Sequence, residues 1–270
     1  SGGRQAVAEA WRNLTAVGAR PLAITDCLNF GNPEKPDRFW QFAKCVEGIV
    51  EGCRQLEVAV VSGNVSFYNE TPQSAIHPTP VIGMVGVMDE VVKHCKTAFK
   101  AAGETIFLLG ETGNEIGGSE YLHVVHGLEA GRPPALDWRL EKGVQAACLE
   151  MVRGGLVSSA HDCSSGGLAV AVAECCIAGG LGAKVELPLL EGVRGDACLF
   201  GESASRIIVS APAENAAAIE KLAAKYAVPC RAIGLTGGEG LRIGLGEIEI
   251  GLPVDRIAAV YKHGLDERME

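Results

Sequence analysis

At 270 residues, with 47% hydrophobic and 21% charged positions, the chain has the composition of a globular protein long enough for two domains. A net charge of −9 and an aromatic content of 5% argue against the basic, stacking surfaces that nucleic acids and anionic membranes require. No run of 18 apolar residues is uninterrupted by polar or charged groups, so no membrane span is expected.

The chain opens on "SGGRQAVAEAWRNL", without Met, and reads as a sequence entered in the middle. Val7, Ala10, Trp11, Leu14 and Val17 already follow helical spacing. Pro21 then precedes "LAITD", a short apolar run that ends in Asp26 and opens into the loop "CLNFGNPEKP". An amphipathic helix follows, with Phe39, Phe42, Val46, Ile49, Val50, Cys53 and Leu56 on one stripe. "VAVV" reads as a strand, and "VVSGNVSFYNE" as a strand that turns on Ser-Gly-Asn. "PTPVIGMVGVMD" gives a third strand entered through Pro80.

The polar, basic stretch between 92 and 103 predicts a domain boundary, giving domains 1–100 and 101–270. Beyond it come the strand "TIFLL", the Gly-rich loop "GETGNEIGGSEY", and a helix with Leu140, Val144, Cys148 and Met151 on one face, stopped by Gly154 and Gly155. The rest reads as "HDCSSGGLAVAVAECC", "AKVEL", "GESASRIIVS", a helix near 213–227, strands "RAIGL" and "LRIGLGEIEIGL", and a helix from Asp255 to His263. Strands mixed with helices in both halves point to two α/β sandwiches. Ten scattered cysteines with no CxxC pair read as reduced, mostly buried thiols of a cytoplasmic protein.

Three constellations could carry chemistry. Asp26 and Gly63-Asn64 lie near strand ends, where α/β sheets bind ligands. Their oxygens are hard donors of the kind Mg²⁺ accepts, and Gly63 lets a phosphate approach the backbone. The alternative is a Gly-Asn turn and a strand-terminal cap. In "HDCSSGG", Asp162, Ser164 and Ser165 are helix-capping types, and Gly166 and Gly167 open a buried helix. That start either binds an anion or only allows close packing. In "GESASR", Glu202 and Ser203 either position a ligand hydroxyl or leave Glu202 in a surface ion pair with Arg206. A GxxxxGK[ST] phosphate loop is absent.

Together, "GGRQAVAEAWRNLTAVGARPLAITDCLNFGNPEKP", "VSGNVSFYNET", "PTPVIGMVG", "GGSEYL", "HDCSSGGLAVAVAE" and "GES-S-R" resemble the second half of the phosphoribosylformylglycinamidine synthase family, small synthetase form. The resemblance implies an α/β (α+β), two-domain unit like aminoimidazole ribonucleotide synthetase (PurM-like). Its N-terminal A domain would carry a small sheet that pairs into a barrel, and its B domain would be an α/β sandwich.

The implied reaction is ATP-dependent amidation of formylglycinamide ribonucleotide with glutamine-derived ammonia, in purine biosynthesis. Asp26 and Gly63 would bind ATP, Asn64 Mg²⁺, and Ser66 the substrate. Asp162, Ser164, Ser165, Gly166, Gly167, Glu202 and Ser203 would form a degenerate second site. The family's catalytic His, ATP-contacting Lys and main Mg²⁺ carboxylates have no counterpart here, so no catalytic residue is assigned and the isolated chain is expected to be inactive. Implied partners are the enzyme's other half, a glutaminase subunit and a small accessory subunit. Cut free, an apolar sheet face (candidates Ile24, Val60, Ile82, Val85) would favour a homodimer. A non-catalytic nucleotide-binding scaffold and another ATP-dependent enzyme of the PurM-like superfamily are the alternatives.

Overall fold

The computed structural model describes residues 1–264 and 266–269. The chain divides into two compact units, Ser1–Thr15 with Ala19–Val91, and Ala16–Gly18 with Val92–Glu270. The changeover at 91/92 falls before the 100/101 boundary expected from the basic stretch.

The first unit runs α1 (Gly2–Ala16), β1 (Arg20–Asn29), α2 (Pro36–Leu56), β2 (Ala59–Ser66) and β3 (Thr79–Val87). Its sheet has the order β2-β1-β3, with β2 parallel and β3 antiparallel to β1. Pro36 and Asp37 suit the first turn of α2, where the missing N–H costs nothing and an acid meets the helix dipole. The expected stripe of α2 holds in its C-terminal half, where Ile49, Cys53 and Leu56 are buried. Phe39 and Val50 are exposed instead, because small residues rather than large ones make the contact with α1. A side chain at Gly52 would press on Val7 Cβ at 3.0 Å, and one at Gly3 would collide with the Cys45 carbonyl.

The Ser-Gly-Asn sequence is not a turn. β2 passes straight through it, with Thr25 opposite Ser62, Asp26 opposite Gly63 and Cys27 opposite Asn64. Ile24 pairs with Val60, so Val61 is an extra residue in β2, a bulge that shifts the register just before the motif. The reversal comes later, at Tyr68, which has φ 60°. The expected open face is also corrected: Ile24 is wholly buried and Ile82 half-buried, and the pairing puts Ile24, Val60 and Ile82 on one face and Val85 on the other. The face that stays open carries Val81 and Val85, exposed by 52% and 60%, opposite Cys27 and Ala23.

The second unit contains β4 (Thr105–Leu109), α3 (Glu120–His126), α4 (Trp138–Arg153), β5 (Ser159–Asp162), α5 (Gly167–Gly179), β6 (Ala183–Leu187), α6 (Gly195–Phe200), β7 (Ile207–Ala211), α7 (Ala216–Lys225), β8 (Cys230–Thr236), β9 (Gly240–Leu245), β10 (Ile248–Pro253) and α8 (Val254–His263). Its seven strands follow the order β10-β9-β6-β8-β4-β7-β5, antiparallel except for β6 beside β9. "LRIGLGEIEIGL" is therefore a hairpin, closed at Gly246 with φ 60°.

Alternation along β4 divides the core in two. Ile106 and Leu108 join α5 and α6 residues on one face, and Phe107 and Leu109 join α4 and α7 residues on the other. This is the sandwich expected from near-continuous apolar strands such as "TIFLL". Helices α3 and α6 were not foreseen. Both are short: α3 is fixed by Ser119, whose Oγ accepts from the Leu122 amide at 3.3 Å, and by left-handed Gly127.

All ten cysteines are free thiols, and seven are buried. Burial pushes Cys176 up to about 12 and Cys230 to about 11, so both stay protonated and unreactive at neutral pH.

Candidate functional site

In the first unit, the motif loops after β1 and β2 are fastened to each other. Asn69 Nδ2 donates to the carbonyls of Phe30 (3.0 Å) and Ser66 (2.9 Å), and to Ser66 Oγ (3.0 Å). The Phe30 amide donates to the Ser66 carbonyl at 3.0 Å, and the Asn69 amide returns to the Phe30 carbonyl at 3.1 Å. Glu70 then clamps the loop that starts α2, accepting from Lys35 Nζ at 2.6 Å and from the Asn32 amide at 3.0 Å. These bonds hold the Glu70 carboxyl below its usual range, the Lys35 hydrogen bond contributing most. Phe42 packs edge-on between Phe30 and Phe67, at 5.3 and 5.1 Å. The sequence stretches "NFGNPEK" and "SFYNE" thus form one rigid corner.

Around that corner the four expected ligand residues separate into two pairs. A side chain at Gly63 would collide with the Asp26 carboxylate, so Asp26 lies across the Gly63 backbone. Gly63 is required there because the Asp26 carboxylate fills the space of its Cβ. Strand alternation turns Asn64 and Ser66 to the opposite face, the one that holds their partners Cys27 and Asn29. Asp26 and Asn64 therefore do not converge on one point, although their spacing suggested a joint oxygen site. Neither the Asp26 nor the Asn64 side chain makes a hydrogen bond or ion pair with any described residue. Ser66 is partly engaged through Asn69.

In the second unit Glu202, Ser203 and Arg206 are held by the protein itself. Ser164 and Ser165 do not cap α5: its N-cap is Gly166 in the left-handed region, with no side-chain bond. Asp162 is buried inside β5, and His161 reaches Glu174 on α5 at 2.8 Å. Glu202 Oε1 accepts from the amides of Gly166 and Glu120, both at 2.9 Å. Ser203 Oγ accepts from the Gly113 amide at 3.0 Å.

The surface ion pair expected for Arg206 gives way to a burial. Its guanidinium is wholly enclosed and donates to the carbonyls of Gly201 (2.6 Å) and Ser203 (2.9 Å) and to Thr112 Oγ1 (3.1 Å). Gly167, with φ 71°, is packed so that a Cβ would strike the Gly201 carbonyl. The three second-unit motifs are one stitched cluster.

Asn69, Glu70, Thr112 and Arg206 carry much of this geometry and were not singled out from the sequence as structural pins. Asn69 follows the aromatic pair of "SFYNE", a turn-type signal that was available. Nothing in the sequence ties Glu70 to Lys35, which are separated by the whole of α2 and β2.

Two domain profiles match this architecture. AIR synthase related protein, N-terminal domain, matches residues 1–88, and AIR synthase related protein, C-terminal domain, matches residues 82–245. The chain belongs to the AIR synthase related family. Among members of that family, the phosphoribosylformylglycinamidine synthase subunit PurL of an Anaeromyxobacter species is 51% identical over 274 residues, covering 98% of this chain. The Moorella thermoacetica subunit is 54% identical over 240 residues, covering 89% of it. The chain spans about a third of the length of these relatives (35% and 32%).

Among solved AIR synthase related structures, T. maritima PurL complexed with FGAR superposes with a TM-score of 0.78 at 26% identity, over 95% of this chain and 42% of that one. T. maritima PurL complexed with ATP gives 0.73 at 25% identity, over 95% and 41%. The two-domain PurM-like fold is thus shared with these neighbours. No helix among the described residues is long and apolar enough to cross a membrane.

Proposed function

We propose that this chain contributes one part of the site of a phosphoribosylformylglycinamidine synthase. That enzyme would amidate formylglycinamide ribonucleotide at the expense of ATP, with ammonia drawn from glutamine. The observation that carries the reading is the contrast at the first-unit corner. The backbone is pinned on every side, yet Asp26 and Asn64 remain free of protein partners and available to a ligand. The 51% identity to a PurL subunit over nearly the whole chain supports the same reaction.

Within this reading the Asp26 carboxylate, lying across the Gly63 backbone, serves the nucleotide. Asn64, on the other face, offers Mg²⁺ one carbonyl oxygen, and Ser66 offers the ribonucleotide a hydroxyl. No group of three acidic, His or Cys ligands exists among the described residues. A metal that keeps several waters and bonds to phosphate oxygens fits so sparse a donor set. When bound, Mg²⁺ would neutralise phosphate charge during transfer. The chain's own residues orient these groups: Asn69 fixes Ser66, and the bulge at Val61 sets which face of the sheet Asn64 and Ser66 share.

The open sheet face, with Val81 and Val85 exposed, supports a partner surface. We assign it to the remainder of the enzyme, or to a second copy of the chain when that is absent. A cytoplasmic complex with glutaminase and small accessory subunits is in keeping with the PurLQS assembly solved from T. maritima. A chain that sediments as a monomer at micromolar concentration would remove the second-copy part of this assignment. The test of the activity is complementation. This chain, added to the missing part of the enzyme, should restore ammonia-dependent ADP release that needs formylglycinamide ribonucleotide. Asn64→Ala should abolish that restoration. Full restoration by the Asn64→Ala chain would favour a non-catalytic scaffold.

A further inference from the structure

The second unit holds a cavity of about 480 Å³ where β4 ends and β8 begins, closed by α5, α6 and the connection between β6 and α6. None of residues 162–167 lines it, nor does Glu202 or Ser203. Its floor is apolar. Leu108 from β4, Ile233 from β8 and Leu168 from α5 meet there as members of the core on the α5 side of the sheet.

The wall is fixed by the chain's own backbone. The Gly110 amide donates to the Pro229 carbonyl at 2.9 Å, and the Val193 amide to the Leu190 carbonyl at 3.1 Å. Gly110 has φ 95°, and a Cβ there would strike the Ser205 carbonyl, so no other residue fits that corner. The Arg194 amide donates to Asn114 Oδ1 at 3.3 Å and ties the β6–α6 connection to the loop after β4.

Three charged residues line the same cavity: Glu111, Glu191 and Arg231. Arg231 pairs with Leu108, so strand alternation turns both side chains to one face. All three residues are exposed, and none of these side chains makes a hydrogen bond or ion pair with a described residue. A fixed wall, an apolar floor and a few unengaged polar groups are the features of small-molecule sites, which span about 300–1,000 Å³.

The geometry points to a binding site for a small organic zwitterion. Its apolar body fills the floor between Leu108, Leu168 and Ile233. Its carboxylate meets the Arg231 guanidinium, and its ammonium group meets Glu111 or Glu191. Two carboxylates beside one guanidinium disfavour a phosphate or a nucleotide, which needs an excess of positive charge. The site is independent of the nucleotide reading at Asp26 and Asn64.

The test is amide NMR of the 270-residue chain, titrated with para-aminomethylbenzoate, whose amine and carboxylate flank an apolar ring. Saturable shifts at Leu168, Leu190 and Ile233 are expected at millimolar concentration. Benzylamine and benzoate, each lacking one charge, should bind about tenfold more weakly. Arg231→Ala should lower the affinity for the zwitterion to that for benzylamine and leave benzylamine binding unchanged. Glu111→Gln with Glu191→Gln should lower it to that for benzoate.

The absence of saturable shifts, or shifts confined to residues away from the cavity, overturns the inference. So does benzoate or benzylamine binding as tightly as the zwitterion, or an Arg231→Ala chain that binds the zwitterion like the wild type. Should a variant fail to fold, the three wild-type titrations decide the matter.

Discussion

Asp26 and Glu202 are acidic residues of two motif clusters, one in each unit, and they are used in opposite ways. Glu202 accepts two backbone amides, and its neighbours Ser203 and Arg206 are equally engaged. Asp26 lies over the bare backbone of Gly63 with no hydrogen bond or ion pair to the described residues, and Asn64 is similarly open. The corner around Asp26 is nevertheless rigid, because Asn69 and Glu70 hold the loops in its place. On the proposed reading, the first-unit site keeps its donors free and delegates the structural bonding to other residues. A structural cluster of similar composition uses its donors up.

The largest effect expected from this contrast is at Arg206. Arg206→Ala removes at least three hydrogen bonds and leaves two carbonyls in a buried loop without their donor, so a loss of about 3 kcal/mol or more is expected from the urea midpoint. Lysine should not restore it, since one ammonium cannot reproduce the fork that spans Gly201, Ser203 and Thr112. A stable Arg206→Ala chain would mean that the second cluster is not stitched as described.

Gly63→Ala should cost about 1–3 kcal/mol, the usual price of forcing atoms into a filled space. The Asp26→Ala background should relieve much of that loss, because the collision is with the Asp26 carboxylate. A double-mutant cycle on denaturant midpoints measures the coupling. Coupling near zero would place the Asp26 carboxylate elsewhere.

A smaller effect is expected from acid. The folded Glu70 carboxyl is held below its unfolded value, about 4.3. Its contribution is therefore complete above that value and is lost as pH falls through the lower folded one. Hydrogen exchange at Ile76, whose amide donates to the Asn69 carbonyl, should accelerate in that acid window and not at neutral pH. Glu70→Gln should remove the pH dependence.

The smallest stability change is expected at the open donor. Asn64→Ala should shift the midpoint by no more than about 0.5 kcal/mol, as for a surface side chain without partners. A larger shift would show that Asn64 is structural, and the contrast with Glu202 would fail.

Much of this protein was determined by its sequence alone, because periodicity reports local environment. Apolar runs such as "TIFLL" and "RIIVS" gave the central strands of the large sheet, since strands covered on both faces need no polar alternation. Leu140, Val144, Cys148 and Met151 gave the buried side of α4. The motif residues themselves pointed to the PurL relatives that proved 51% and 54% identical and to the two-domain unit that the AIR synthase related profiles matched.

What only the tertiary structure decided depends on contacts between distant segments. A strand and a turn are equally compatible with Ser-Gly-Asn read in isolation. Pairing with β1, and the bulge at Val61, made it a strand and sent Asp26 and Asn64 to opposite faces. Arg206 looked like a surface partner for Glu202 because the sequence does not reveal that the loop before it and the loop of Thr112 close over it. Its charge is tolerated in the interior because two carbonyls and a hydroxyl arrive there from segments up to 94 residues away.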